Sequence, residues 1–178
     1  DIRNQVALKE IINTTAPDIL INLAAMTNVD ACELNPKLAG EINVAGLQHI
    51  CDSFKGKIIH LSTDYVFDGT SGPYKEDDPL NPISIYGKTK LASEHILLEK
   101  DIKNLVIRGN VLYDYSPHTS ASFLNWVVSS LKDNQEIKVV EDQFNNPTWT
   151  RSMSDIIELS IENDLEGILH WGDSVHIS

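Results

Sequence analysis

The chain lacks the features on which many functional classes depend. Its apolar runs stay far short of the roughly 20 residues that span a bilayer as a helix. It holds only two cysteines in 178 residues, Cys32 and Cys51. Both fall in stretches of helical pattern, and two thiols so placed form neither a disulfide framework nor a metal knuckle. The six histidines show no H-x-H or H-x-x-x-H spacing, so no metal site is expected. Basic residues are scarce: 14 Lys and Arg stand against 26 Asp and Glu, a formal net charge of −12. A chain of that sign repels phosphate backbones and anionic lipid, so neither nucleic acid nor a membrane is an expected partner. No secretory pattern opens the sequence, and a cytoplasmic location is expected. There is no G-x-x-G-x-x-G run either. A dinucleotide-binding sheet normally opens with such a turn, whose backbone N–H groups meet the pyrophosphate.

What is present is an alternation of two periods. Val6, Ala7, Leu8, Ile11 and Ile12 recur at helical spacing, and the run from Ile19 to Ala25 suits a strand buried on both faces. A helical pattern follows from Val29 to Phe54, with a break at Asn35-Pro36. Strands are expected at Ile58–Leu61, Asn104–Arg108, Ile137–Val140 and Gly167–Trp171. Helices are expected at Tyr86–Lys100, Ser122–Lys132 and Ser154–Asn163, with a polar loop at Tyr113–Ser120. The expectation is an α/β fold with a Rossmann-like parallel sheet and helices on both faces.

The chemistry concentrates between Lys57 and Lys90. The block Ile58, Ile59 and Leu61 ends where Ser62, Thr63 and Asp64 bring polar groups in succession, and a helix follows at Tyr86. Ser62 and Thr63 are strand neighbours, so only one of them can face a given site. Tyr86 and Lys90 lie four apart, on one helical face and about 6 Å apart along the axis. A phenol is a poor proton exchanger at neutral pH, and a nearby ammonium favours its ionised form. A hydroxyl can donate to a carbonyl oxygen where negative charge develops. Thr63, Tyr86 and Lys90 therefore form a candidate catalytic set for proton movement at a carbonyl. His60 reads as a core histidine, and the apolar face of the helix reads as Leu91, Ala92, His95, Ile96, Leu97 and Leu98.

The runs Ser62-Thr-Asp-Tyr-Val-Phe-Asp-Gly69 and Tyr86-Gly-Lys-Thr-Lys-Leu-Ala-Ser-Glu94 closely resemble the dTDP-4-dehydrorhamnose reductase family, within the extended short-chain dehydrogenase/reductases. The resemblance implies reduction of a nucleotide-linked 4-keto-6-deoxy sugar by NADPH or NADH. It implies a partial NAD(P)-binding domain over residues 1–112, carrying the catalytic segment. Residues 113–178 would be part of a small substrate-binding region, interleaved with the last strands. Asp1 would fall at the end of the family's third strand. The glycine turn would then lie upstream, and the chain as given would bind a dinucleotide poorly.

Position by position, the resemblance implies cofactor contacts from Asp1, Ile2, Ala25, Met26, Thr27, Tyr86 and Lys90, and substrate contacts from Val29, Thr63 and Asp64. It gives Asn43 the part of a helical amide that bends its helix and supports the lysine. Two positions depart from the family pattern. Val111 stands where many members carry Trp, and Asn145 replaces a Gly in Asp142-Gln-Phe-Asn-Asn-Pro-Thr148, where an Asn could still adopt a left-handed turn. Phe123 and Trp126 read as core, and Arg151 as a solvated side chain with a guanidinium suited to diphosphate. The resemblance allows a homodimer. Two other functions fit the same motifs: a nucleotide-sugar epimerase or dehydratase that retains its NAD, and a non-catalytic subunit like the regulatory partner of methionine adenosyltransferase.

Overall fold

The computed structural model describes residues 1–100, 102–115, 123–139 and 141–175. In chain order its elements are α1 (Gln5–Thr15), β1 (Ile19–Asn22), α2 (Val29–Leu34), α3 (Pro36–Gly40), a π-helical turn (Glu41–Ala45), α4 (Gly46–Ser53) and β2 (Lys57–Thr63). A 3-10 turn (Asp64–Val66), α5 (Ile85–Leu98), β3 (Leu105–Gly109), β4 (Leu112–Tyr113), α6 (Phe123–Lys132), β5 (Thr148–Trp149), α7 (Thr150–Glu162) and β6 (Gly167–Trp171) follow. The chain forms two compact units, Asp1–Arg108 with Leu165–His170, and Gly109–Asp164 with Trp171–Ser178.

The first unit is an α/β sheet of order β1-β2-β3-β6. Its β1 and β2 pair in parallel, with Asn22 opposite His60. Ile12 of α1, Leu47, Ile50 and Cys51 of α4, Leu97 of α5, Ile58 of β2 and Val106 of β3 make one apolar core. Ile59 and Ile107, on the opposite strand faces, are buried as well. The central strands are thus covered on both faces. The first strand is not: Ile21 is 42 % exposed and Leu23 just beyond it 61 %, because β1 is the edge of this sheet. The expectation of burial on both faces fails there.

The helical stretch from Val29 ends at Asn35, where Pro36 starts a new helix and Asn35 N donates to Ala31 O. Helix α5 buries Tyr86, Gly87, Lys90, Ser93, Glu94 and Leu97, while His95 and Leu98 lie exposed. The apolar face read from the sequence is therefore rotated from the true one. The buried stripe keeps the spacing i, i+4, i+7, i+8 and i+11, but most of its members are polar.

In the second unit, β4 and β5 form a short parallel pair, with Leu112 opposite Thr148. Residues 137–139 form no strand, contrary to expectation, and Val140 lies outside the described residues, as do Ser116–Ser120, Ser122, His118 and His176. Helix α6 leaves Phe123 and Trp126 exposed, their rings 5.6 Å apart, so neither is core. Asn145 has no left-handed backbone, whereas Val111 has φ 24°. A β-branched residue held there is strained. Among the described residues no helix is long and apolar enough to cross a membrane, and no group of His, Cys, Asp and Glu could hold a metal.

Candidate active site

The site is built where β2 ends and α5 begins. Three contacts set the start of α5. Ser84 Oγ accepts from Gly87 N at 3.0 Å, capping the first turn. Glu33 of α2 accepts from Ile85 N at 2.6 Å. Gly87 lets the helix lie against the turn after β2, since a Cβ there would stand 2.2 Å from Tyr65 O. Replacing Gly87 by Ala forces α5 off that carbonyl. The expected cost is about 1–3 kcal/mol of stability, together with a fall in turnover, read by thermal unfolding and kcat. Unchanged values in both would show that the close approach sets nothing.

At the other side of this contact, Thr63 caps the 3-10 turn by accepting from Tyr65 N at 3.2 Å, and its hydroxyl donates to Asp64 Oδ1 at 3.1 Å. The same Thr63 hydroxyl lies close enough to the Tyr86 phenol to ease its ionisation. Tyr65 meets Tyr86 edge-on at 5.6 Å. Met26 and Val29 pack against the cluster of Cys32, Ala39 and Tyr86. Thr63, Asp64, Tyr86, Met26 and Val29 are thus gathered in one place. Ser62 points the other way, its hydroxyl donating to Glu94.

Burial pushes the Tyr86 phenol up to about 12, with the Asp64 carboxylate adding to the rise and the Thr63 hydroxyl opposing it. Burial also raises Asp64. The expected acidifying effect of Lys90 is absent from this arrangement, because the amine is engaged elsewhere. Lys90 Nζ donates to Leu61 O at 2.7 Å and lies 3.1 Å from His60 Nε2. Burial lowers Lys90 to about 8, a fall that Glu94 partly offsets. The resting phenol is a stored proton beside a hydroxyl and a carboxyl.

Asn43 sits in the π turn, a form that often marks functional positions. Its Oδ1 accepts from Met26 N at 2.7 Å, and its Nδ2 donates to Met26 O at 3.1 Å and to Thr89 Oγ1 at 3.0 Å. It therefore ties the segment after β1 to α5 one residue before Lys90, and does not touch the lysine itself. Ala25 is half-buried and Thr27 exposed in that same segment. Asp1 and Ile2 make their contacts elsewhere. Asp1 pairs with Arg3 at 2.6 Å, and Ile2 packs on Gly46 and lies 3.1 Å through its carbonyl from His49 Nδ1.

A hollow of about 400 Å³ opens beside β1, lined by Ile2, Leu8, Ile12, Ile21, Leu23 and Ala24 among others. It runs along the whole of β1, from Pro17 before the strand to Ala24 after it, on the exposed edge of the sheet. Its volume falls within the roughly 300–1,000 Å³ of small-ligand sites.

Several buried polar groups were not visible as site residues in the sequence. Arg108 of β3 forks onto Glu94, Nη2 at 2.8 Å from Oε2, with both side chains 1 % exposed. Its Nη1 donates to Glu76 O at 3.1 Å, and its guanidinium lies over Phe67 at 5.4 Å. His60 and Ser93 form a second buried cluster with Lys90 and Asn22. The available signal was the recurrence of Lys90, Ser93 and Glu94 at core spacing on a helix. Asn110 Oδ1, in the second unit, is a buried side-chain acceptor without a partner.

The model of the RmlD substrate binding domain matches residues 1–178, the whole chain. The chain belongs to the RmlD substrate-binding domain family. Among its relatives, a dTDP-4-dehydrorhamnose reductase of Aggregatibacter actinomycetemcomitans is 34 % identical over 161 residues, covering 88 % of this chain and 54 % of the relative. The spore coat polysaccharide biosynthesis protein SpsK of Bacillus subtilis is 32 % identical over 178 residues, covering 98 % and 62 %. The crystal structure of dTDP-4-dehydrorhamnose reductase from Bacillus anthracis, in complex with NADP, superposes with a TM-score of 0.92 at 31 % identity, covering 100 % of this chain and 64 % of that one. The chain thus spans 54 % and 62 % of the two curated relatives. The resemblance drawn from the two motifs holds at the level of the RmlD family and of the Rossmann-like fold.

Proposed function

We propose that this chain carries the catalytic segment of an NAD(P)H-dependent reductase of a nucleotide-linked 4-keto-6-deoxy sugar, with dTDP-4-dehydrorhamnose as the substrate and dTDP-L-rhamnose as the product. The observation that carries the reading is the convergence of the Tyr86 phenol and the strand-end Thr63 hydroxyl, with Lys90 one helical turn further on. The relatives named as dTDP-4-dehydrorhamnose reductases, one of them bound to NADP, support it.

In this reading the dinucleotide, NADPH or NADH, is held by Asp1, Ile2, Ala25, Met26, Thr27, Tyr86 and Lys90, and supplies a hydride to the sugar C4. Thr63 turns its one hydroxyl hydrogen from Asp64 Oδ1 to the ketone oxygen and fixes it beside the phenol. Tyr86, protonated at neutral pH, gives its proton to that oxygen as it gains charge. Lys90 supplies positive charge on the same helical face. Asp64 and Val29 contact the sugar nucleotide, Asp64 as an acceptor for hydroxyl groups. Residues 1–112 serve the dinucleotide and the chemistry, and residues 113–178 contribute to the sugar pocket.

The test is oxidation of NADPH by the full-length protein that carries this chain, supplied with dTDP-4-dehydrorhamnose. The reading predicts consumption of one dinucleotide per sugar reduced. A dinucleotide that stays tightly bound with no net oxidation, while the sugar is epimerised or dehydrated, would overturn it.

A further inference from the structure

The pocket behind Lys90 contains a proton inventory that closes in only one way. His60, Lys90, Ser93 and Asn22 are all at least 96 % buried, so their hydrogens must be placed among themselves and the nearby backbone. Ala24 N donates to Asn22 Oδ1 at 3.2 Å, which fixes the amide with Nδ2 facing His60. That Nδ2, a donor, lies 3.1 Å from His60 Nδ1, so Nδ1 must carry a lone pair. On the other side of the ring, Ser93 spends its only hydrogen on Lys90 O at 2.6 Å. Its oxygen lies 3.0 Å from His60 Nε2 and can serve there only as an acceptor. Both sides assign the hydrogen to Nε2. Turning the imidazole to the other tautomer would set N–H against N–H at Asn22 and cost Ser93 its bond to Lys90 O.

Lys90 Nζ stands 3.1 Å from that same Nε2. An uncharged amine fits: one N–H goes to Leu61 O, and the nitrogen lone pair shares the one Nε2 hydrogen with Ser93 Oγ, the two acceptors lying 3.1 and 3.0 Å from Nε2. An ammonium has no lone pair, so it would meet the ring N–H donor to donor. We propose that His60, locked as its Nε2–H tautomer by Asn22 and Ser93, is a positioning residue that receives the uncharged Lys90 amine against β2 and turns the ammonium away along α5 toward Tyr86. Lys90 then has a parked and a working position, chosen by its own charge. The inference rests on the reading of Lys90 as part of the reductase site for its consequence, though not for its geometry. The low proton affinity that burial gives Lys90, near 8, places the choice within the working range. His60 is held neutral by its burial, with the charge of Lys90 adding to the effect. The charged group that acts on Lys90 is Glu94 on α5, itself clamped by Arg108 of β3. Asp64 after β2, Cys32 of α2 and Tyr65 act on the neighbouring Tyr86.

Two readings on the substrate-free full chain test this. In a long-range nitrogen–proton spectrum of the wild type, His60 is expected with Nε2 protonated and Nδ1 bare; a protonated Nδ1 would overturn the proposal without any variant. In a titration of carbon-labelled lysine, Lys90 should respond near pH 8. In His60→Gln the amide can rotate to offer its oxygen to the ammonium. The Lys90 titration should then move up by about one pH unit or more, a tenfold gain in proton affinity. A merely structural role for His60 would leave it in place, and an unmoved titration in a folded His60→Gln would overturn the proposal. A shifted titration in a protein that never oxidises NADPH would uphold the His60 contact and sink the reductase reading alone.

Discussion

Replacing Tyr86 by Phe is expected to lower kcat by about 100- to 10,000-fold, the usual contribution of a positioned acid. The stability should change little. The substitution removes one oxygen that lies near the Thr63 hydroxyl, and Thr63 keeps its bonds to Asp64 and Tyr65 N. The ring remains, with its edge contact to Tyr65 and its packing on Cys32 and Ala39. The loss should therefore appear in kcat with the dinucleotide affinity nearly intact, because the missing interaction is made mainly as the ketone oxygen gains charge. Turnover within a few-fold of wild type, in a protein with an unchanged unfolding midpoint, would remove Tyr86 from the chemistry.

The largest effect on stability is expected at Glu94. Glu94→Ala leaves the Arg108 guanidinium buried without its carboxylate and takes the acceptor from Ser62. Breaking a buried pair from one side costs about 3–5 kcal/mol, mostly the cost of a desolvated charge left alone. The remaining acceptor that Arg108 retains is the Glu76 carbonyl, at 3.1 Å, with His170 Nε2 at 3.2 Å. The loop that carries Glu76 is anchored through this arginine, and Glu76 in turn accepts from His170 N at 2.9 Å. Denaturant unfolding should show a lower midpoint, and Glu94→Gln, which keeps the shape and one acceptor, a smaller drop. A loss below about 1 kcal/mol for Glu94→Ala would mean that water reaches the guanidinium.

These two residues show what could be read from the sequence and what could not. The alternation of strands and helices was legible because apolar runs and periods survive in the sequence: β2, β3, β6 and α1 stand close to where they were expected. Tyr86 and Lys90 were legible because a helix maps a spacing of four onto one face. The true face of α5 was hidden because its buried stripe is Lys90, Ser93 and Glu94, and apolar periodicity is blind to a stripe satisfied by hydrogen bonds. His95 and Leu98 drew the reading to the wrong side. The engagement of Lys90 with Leu61 O and His60 depends on tertiary geometry that no local pattern encodes. Asn43 stands out through the family resemblance alone, because its partners, Met26 and Thr89, lie 17 and 46 residues away. In the second unit the two-residue strands β4 and β5 are too short for a period of two to register, and the run at Ile137 has no partner strand among the described residues to make it one.

In the proposed reaction the proton of one phenol and a hydride meet at a single sugar carbonyl held by Thr63. Reduction of the nucleotide-linked 4-keto sugar with dinucleotide deuterated at the transferring carbon tests it most directly. The account predicts a product carrying one deuterium at C4, formed by the wild type and nearly abolished in Tyr86→Phe. Product with no label at C4, or labelled product formed equally well by both proteins, would contradict it.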